Sequence, residues 1–178
     1  MIPVMMRTIS FLVFVSFCTY NPTFAQGTGF DDRISWQDLF DIVEIPSGPS
    51  REAKIAEFQF DRTSSNPNEW RRDLQQAINN RPYLWTESIV LVKNQHNIIR
   101  FITTFSVEFR RMVGLLTAPS SSTLGSQGVG AVRLEPKQVA DGRTIERFRK
   151  NDCLIEILSY KDKSGLENWV SQITKGAF

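Results

Sequence analysis

The run Ile99–Arg110 constrains the fold more than any other segment. Ile99, Phe101, Thr103, Phe105, Val107 and Phe109 occupy one phase of a two-residue period, and Arg100, Ile102, Thr104, Ser106, Glu108 and Arg110 occupy the other. Successive side chains of a strand point to opposite faces, so this alternation predicts a long strand with one apolar face and one wet face. Ser88–Val92 precedes it as a shorter apolar strand, and Lys93-Asn94-Gln95-His96-Asn97 has the length and polarity of a hairpin loop between the two. Downstream, Ala131–Val139, Thr144–Arg149 and Cys153–Tyr160 are separated by Ala140-Asp141-Gly142-Arg143 and Lys150-Asn151-Asp152, both rich in turn residues. Short polar joints between consecutive strands imply antiparallel pairing, so Ser88–Tyr160 reads as a meander. Ala56, Phe58 and Phe60 alternate with Glu57 and Gln59, which suggests Lys54–Phe60 as an edge strand, although Arg51–Glu57 taken alone also suits a helix.

Three segments carry helix signals. Ser35 precedes Trp36, Leu39, Phe40 and Val43, with Asp38 in the first turn and Pro46 beyond. Asn66, Pro67 and Glu69 have the form of a capped start for a stripe of Trp70, Leu74, Ala77 and Ile78, which Asn79-Asn80 and Pro82 end. Ser164-Gly165-Leu166-Glu167 has the form of a capping box ahead of Leu166, Trp169, Val170 and Ile173. The expected class is therefore α+β: an antiparallel meander sheet of about four to six strands with two or three helices packed on one face.

Met1–Ala25 has the layout of a secretory signal peptide. Arg7 supplies a charged start, Ile9–Phe17 is an apolar run too short to span a bilayer, and Thr23-Phe24-Ala25 places small residues where a signal peptidase reads them. Cleavage after Ala25 is expected, which gives a periplasmic or secreted protein with no integral membrane span. Bulky Phe17, just before Cys18, is unlike the small residue of a lipoprotein signal. The remaining 26–178 reads as a single domain of a size that its own core can hold, with a flexible Ser/Gly-rich loop at 118–130. It keeps one cysteine, Cys153, in an apolar run that suits a small buried hydrophobe and cannot form an internal disulfide. An unpaired cysteine and an exposed edge strand are compatible with a homodimer.

Composition narrows the chemistry. With 21 basic and 19 acidic side chains the net charge is +2, too weak a field to recruit nucleic acid. One histidine and two cysteines leave too few ligands for a transition-metal centre, and no cofactor is implied. A serine triad would have to use His96, with Ser120–Ser122 or Ser126 as nucleophile, and no G-x-S-x-G elbow accompanies them. Gly125, Gly128 and Gly130 are in the wrong order for a dinucleotide fingerprint. Glu57, Glu87, Glu108, Glu135, Glu146 and Glu156 are too many to single out a carboxylate pair.

What remains is binding. Phe101, Phe105, Phe109, Trp70 and Trp169 are the candidates to line an apolar ligand site between sheet and helices. Arg110, Arg111, Arg147 and Arg149 are the candidates to hold an anionic group or a protein partner, since guanidinium groups bind oxyanions bidentately. The expected function is an exported, non-catalytic binding module for an apolar small molecule or an envelope protein. The alternative is a small secreted hydrolase using a carboxylate pair or His96.

Overall fold

In the computed structural model, residues 34–78, 80–106, 124 and 129–178 are described. Two helices come first, α1 (Trp36–Glu44) and α2 (Pro49–Glu57). Eight strands follow: β1 (Asp61–Arg62), β2 (Glu69–Ile78), β3 (Arg81–Leu91), β4 (Ile98–Phe105), β5 (Val132–Gln138), β6 (Thr144–Lys150), β7 (Cys153–Lys161) and β8 (Glu167–Lys175). They form one sheet in the order β1-β2-β3-β4-β8-β7-β6-β5, and every neighbouring pair is antiparallel. Two four-stranded meanders are thus joined edge to edge along β4 and β8. Asn97 and Lys175 extend the seam through Lys175 N to Asn97 O at 2.9 Å and Asn97 Nδ2 to Lys175 O at 2.8 Å.

The α+β plan of four to six strands with two or three packed helices is overturned by this arrangement, which among the described residues is mostly sheet, eight strands with the two short helices α1 and α2. Only the first expected helix forms as read. Ser35 Oγ accepts from Asp38 N at 3.2 Å while Ser35 N donates to Asp38 Oδ2 at 2.7 Å, and Trp36, Leu39, Phe40, Ile42 and Val43 are buried. Lys54–Phe60 is not an edge strand. Pro49 starts a helix there that buries Arg51 and Ile55 one turn apart, and Gln59 turns the chain out of it at φ 62°.

The other two expected helices are strands. Asn66 does cap, but its Oδ1 accepts from Asn68 N at 3.1 Å in a turn that delivers the chain into β2. The Ser164-Gly165-Leu166 segment is the β7–β8 turn. Asp162 Oδ1 accepts from Ser164 N and Leu166 N, and Gly165 takes φ 87°. The hairpin expected at 93–97 is present, with Gln95 N donating to Val92 O at 3.0 Å and Asn94 at φ 62°.

Cross-strand register sorts one face of the sheet into rows. Leu91, Ile99, Ile173, Ile155 and Phe148 form the first row, and Trp70, Ile89, Phe101, Ser171 and Ile157 form the second. The helices pack here: the buried residues of α1, with Ile55, Phe60 and Leu124, join these side chains in the main core. Burying each large aliphatic or aromatic side chain in it contributes roughly 1.5–3 kcal/mol. The opposite face carries Ile102, Val170 and Leu158 side by side across β4, β8 and β7, all half-buried. Among the described residues, no helix is long and apolar enough to cross a membrane.

Candidate functional site

Two further rows continue the helix-bearing face, and their chemistry changes abruptly. In the third row Arg72 pairs with Glu87, Glu87 with Thr103 and Thr103 with Trp169; in the fourth, Leu74 pairs with Trp85, Trp85 with Phe105 and Phe105 with Glu167. An arginine and a glutamate here are buried among aromatic rings, at 8% and 1% exposure. Such groups persist only when fully partnered. Arg72 donates to Glu87 Oε2 from Nε at 3.0 Å and from Nη2 at 2.7 Å, and from Nη1 to Phe58 O at 2.7 Å. Its guanidinium lies 4.5 Å from the centroid of the Phe60 ring. Trp85 Nε1 donates to the other Glu87 oxygen at 3.2 Å.

Thr103 is the exception in that row. Its hydroxyl is fully buried, has no hydrogen-bond partner among the described residues and sits between Glu87 and Trp169 in the register. A buried hydroxyl left unmatched costs about 1–3 kcal/mol. Beside it Trp85 and Phe105 make a second apolar cluster with Leu74, Tyr83 and Trp169, which no residue of α1 or α2 joins. Phe105 and Trp169 meet edge to face, with centroids 5.1 Å apart and planes at 87°. Leu74, Tyr83 and Trp169 are half-buried and form its rim.

The residues expected to line a ligand site are therefore divided. Trp70 and Phe101 lie in the main core under the helices, whereas Phe105 and Trp169 meet in the aromatic cluster. Phe109, Arg110 and Arg111 lie outside the described residues. Arg147 and Arg149 project from β6 on the face opposite Phe148, Arg147 beside Glu156 at 3.5 Å and Arg149 5.6 Å from the Phe178 ring. Sequence reasoning did not bring Arg72, Glu87, Thr103 and Trp85 together: Glu87 stood only among six undistinguished carboxylates, and Thr103 only as a position on the apolar strand face. One signal was available: carrying the two-residue period of β3 backwards from Leu91 through Ile89 puts a glutamate on an apolar face, where it must have a cationic partner.

Two other clusters lie at the opposite end of the sheet. A cavity of about 260 Å³ opens between the α1–α2 turn and the β3–β4 loop, lined in part by Ser47, Gly48, Arg51, Asn68, Leu91 and His96. Ser47 Oγ is 2.9 Å from His96 Nδ1. Arg51, 3% exposed, donates to Ile45 O at 2.7 Å, Val43 O at 3.0 Å and His96 O at 2.7 Å, which ties the end of α1 to the loop carrying His96. Burial lowers its guanidinium from the ordinary value, yet arginine stays charged at neutral pH.

The second cluster borders a cavity of about 220 Å³ beside α1 and joins Glu44, Asp152 and Cys153, whose ligand atoms lie within 4.8 Å of one another. Glu44 is already paired with Lys175 and raises its ammonium. Burial, helped by Asp152, pushes the Cys153 thiol up to about 11. The set is an ion pair beside a neutral thiol rather than the thiolate a soft metal takes. No family model matches the chain, and neither a curated protein nor a solved structure matches it.

Proposed function

We propose that the protein is an exported binding module, and that its ligand is an amphipathic small molecule held at the aromatic end of the helix-bearing face. The observation that carries this reading is the Thr103 hydroxyl, fully buried between Glu87 and Trp169, without a partner among the described residues, and adjoining an aromatic cluster that neither α1 nor α2 enters. An apolar body would lie against Trp85, Phe105 and Trp169, and one polar atom would complete Thr103. Arg72 and Glu87 already satisfy each other, so they shape the floor without demanding a charged ligand. Binding at this place needs no group to change its covalent state.

Native mass spectra of protein recovered from the extracytoplasmic fraction test export and binding together. The expected species is Gln26–Phe178 carrying a non-covalent adduct, with the adduct weakened about five- to tenfold in Thr103→Val, the loss of roughly one net hydrogen bond. An uncleaved chain overturns export, and a bare mature chain that takes up no apolar fluorophore overturns the ligand site.

A protein partner is the second reading, and the row Ile102, Val170 and Leu158 supports it, since three aligned half-buried apolar side chains lie on the face the helices leave open. A stable complex recovered with the exported chain and lost in Val170→Lys supports this second reading.

A further inference from the structure

We infer that Ser47 and His96 form a nucleophile and general-base pair that transfers the acyl group of small esters in the 260 Å³ cavity, a second site separate from the aromatic end of the sheet. The Ser47 Oγ to His96 Nδ1 distance of 2.9 Å lies within the 2.6–3.2 Å or so over which a base can take a hydroxyl proton. The two residues are 49 positions apart, and a buried clasp sets their meeting. Arg51 holds the carbonyls of Val43 and Ile45 on one side and of His96 itself on the other, so both loops are fixed against each other.

The surroundings supply the other requirements. Ser47 immediately precedes Gly48, the N-cap of α2, whose φ of 133° turns the chain directly into the helix. Gly48 lines the cavity beside the nucleophile, and its amide at the start of α2 has no helical carbonyl to bond, the kind of donor that stabilises a developing oxyanion. Leu91 and Val92 offer an apolar wall and Asn68, Lys93 and Gln95 a polar one. The volume is below the range of about 300–1,000 Å³ usual for drug-sized ligands, which selects a short acyl chain.

The step balances within the pair. With its own proton on Nε2, His96 accepts the Ser47 hydroxyl proton at Nδ1 as Oγ bonds to the ester carbonyl carbon. Collapse of the tetrahedral oxyanion breaks the carbon–oxygen bond to the alkoxide, which leaves with the proton from Nδ1. Water, deprotonated by the same nitrogen, then releases the acid and restores Ser47.

A fluorophosphonate tests the pair without knowledge of the natural ester, because Ser47 Oγ displaces fluoride from phosphorus and keeps the phosphonyl group. The expected result is a covalent adduct on the peptide containing Ser47, absent in Ser47→Ala and formed about a hundredfold more slowly in His96→Gln. Both side chains are exposed, so both variants should melt as the parent does. A native chain with no adduct at Ser47, or a His96→Gln chain that labels at the parental rate, overturns the inference.

Discussion

The residues that decide most here are those whose chemistry conflicts with their surroundings. Arg51 is a charged side chain in an apolar core, and its three carbonyl bonds explain why it is tolerated. Arg51→Met leaves those carbonyls without their donor, so a loss of about 2–4 kcal/mol is expected in urea unfolding, with the midpoint falling at unchanged slope. Cys153 is protonated well above its ordinary range. The folded state holds that proton more tightly than the unfolded state does. Its contribution is therefore complete below the ordinary value near 9.0 and is lost as pH rises towards about 11. Across that window the parent should lose on the order of 2 kcal/mol more than Cys153→Ala loses. A thiol reagent at neutral pH should react with the unfolded chain and barely with the native one. The burial of Cys153 was legible from Leu154, Ile155 and Ile157 around it. The clasp of Arg51 was not, because all three of its partners are backbone carbonyls, which every residue carries.

At the scale of elements, local signals were real but their destinations were not. The capping pattern of Ser35 and Asp38 made α1, and Ser35→Ala should cost about 1 kcal/mol in the same unfolding assay. Asn66 and Asp162 make the same kind of local bonds in turns that open strands. Strand β2 escaped notice because the second position on its inner face is Arg72, which breaks the run Trp70, Arg72, Leu74 and leaves Trp70, Leu74, Ala77 and Ile78 to imitate a helix. Strand β8 hides in the same way, with Glu167 and Ser171 buried on its inner face and Val170 on the other. In both cases tertiary partners, invisible to a period count, set the outcome. The aromatic half of the candidate site was legible through Phe105 and Trp169, and its polar half was hidden for this same reason. The sheet edges also differ in a readable way. β1 is two residues long, and β5 carries Pro136 inside a register shift between Leu134 and Lys137. These features blunt pairing with other chains. Pro136→Val should restore a donor to that edge and produce concentration-dependent association in sedimentation velocity.

For the whole molecule, the seam between β4 and β8 matters most. It joins Ile98–Phe105 to Glu167–Lys175, so neither meander acquires its inner neighbour until residues some seventy positions apart have met. Non-local closure of this kind is slow, and folding on the millisecond-to-second scale is expected in stopped-flow refolding. The expected single meander over Ser88–Tyr160 is overturned, because β5 lies at the far edge of the sheet and β8 takes the place beside β4; only the short β3–β4, β5–β6 and β6–β7 connections were read as they are. Nothing local could announce the seam, because β4 and β8 are not consecutive and any strand with an apolar face could have filled either place. The buried Arg72 and Glu87 pair takes on a different meaning at this scale. Replacing both with apolar residues of similar volume, as in Arg72→Met with Glu87→Leu, removes the cost of taking two charges out of water but leaves Phe58 O and Trp85 Nε1 without their partners, so a net loss of about 1–3 kcal/mol is expected in urea unfolding. What such a chain would also lose is fidelity of alignment. Slipping β2 by one position against β3 sends Arg72 to the opposite face and strands Glu87 among indole and benzyl rings, a penalty of several kcal/mol that the native register does not carry. The ion pair is thus expected to act as a key against a one-residue slip of β2, and the apolar variant should show its loss by doubled amide resonances for that strand.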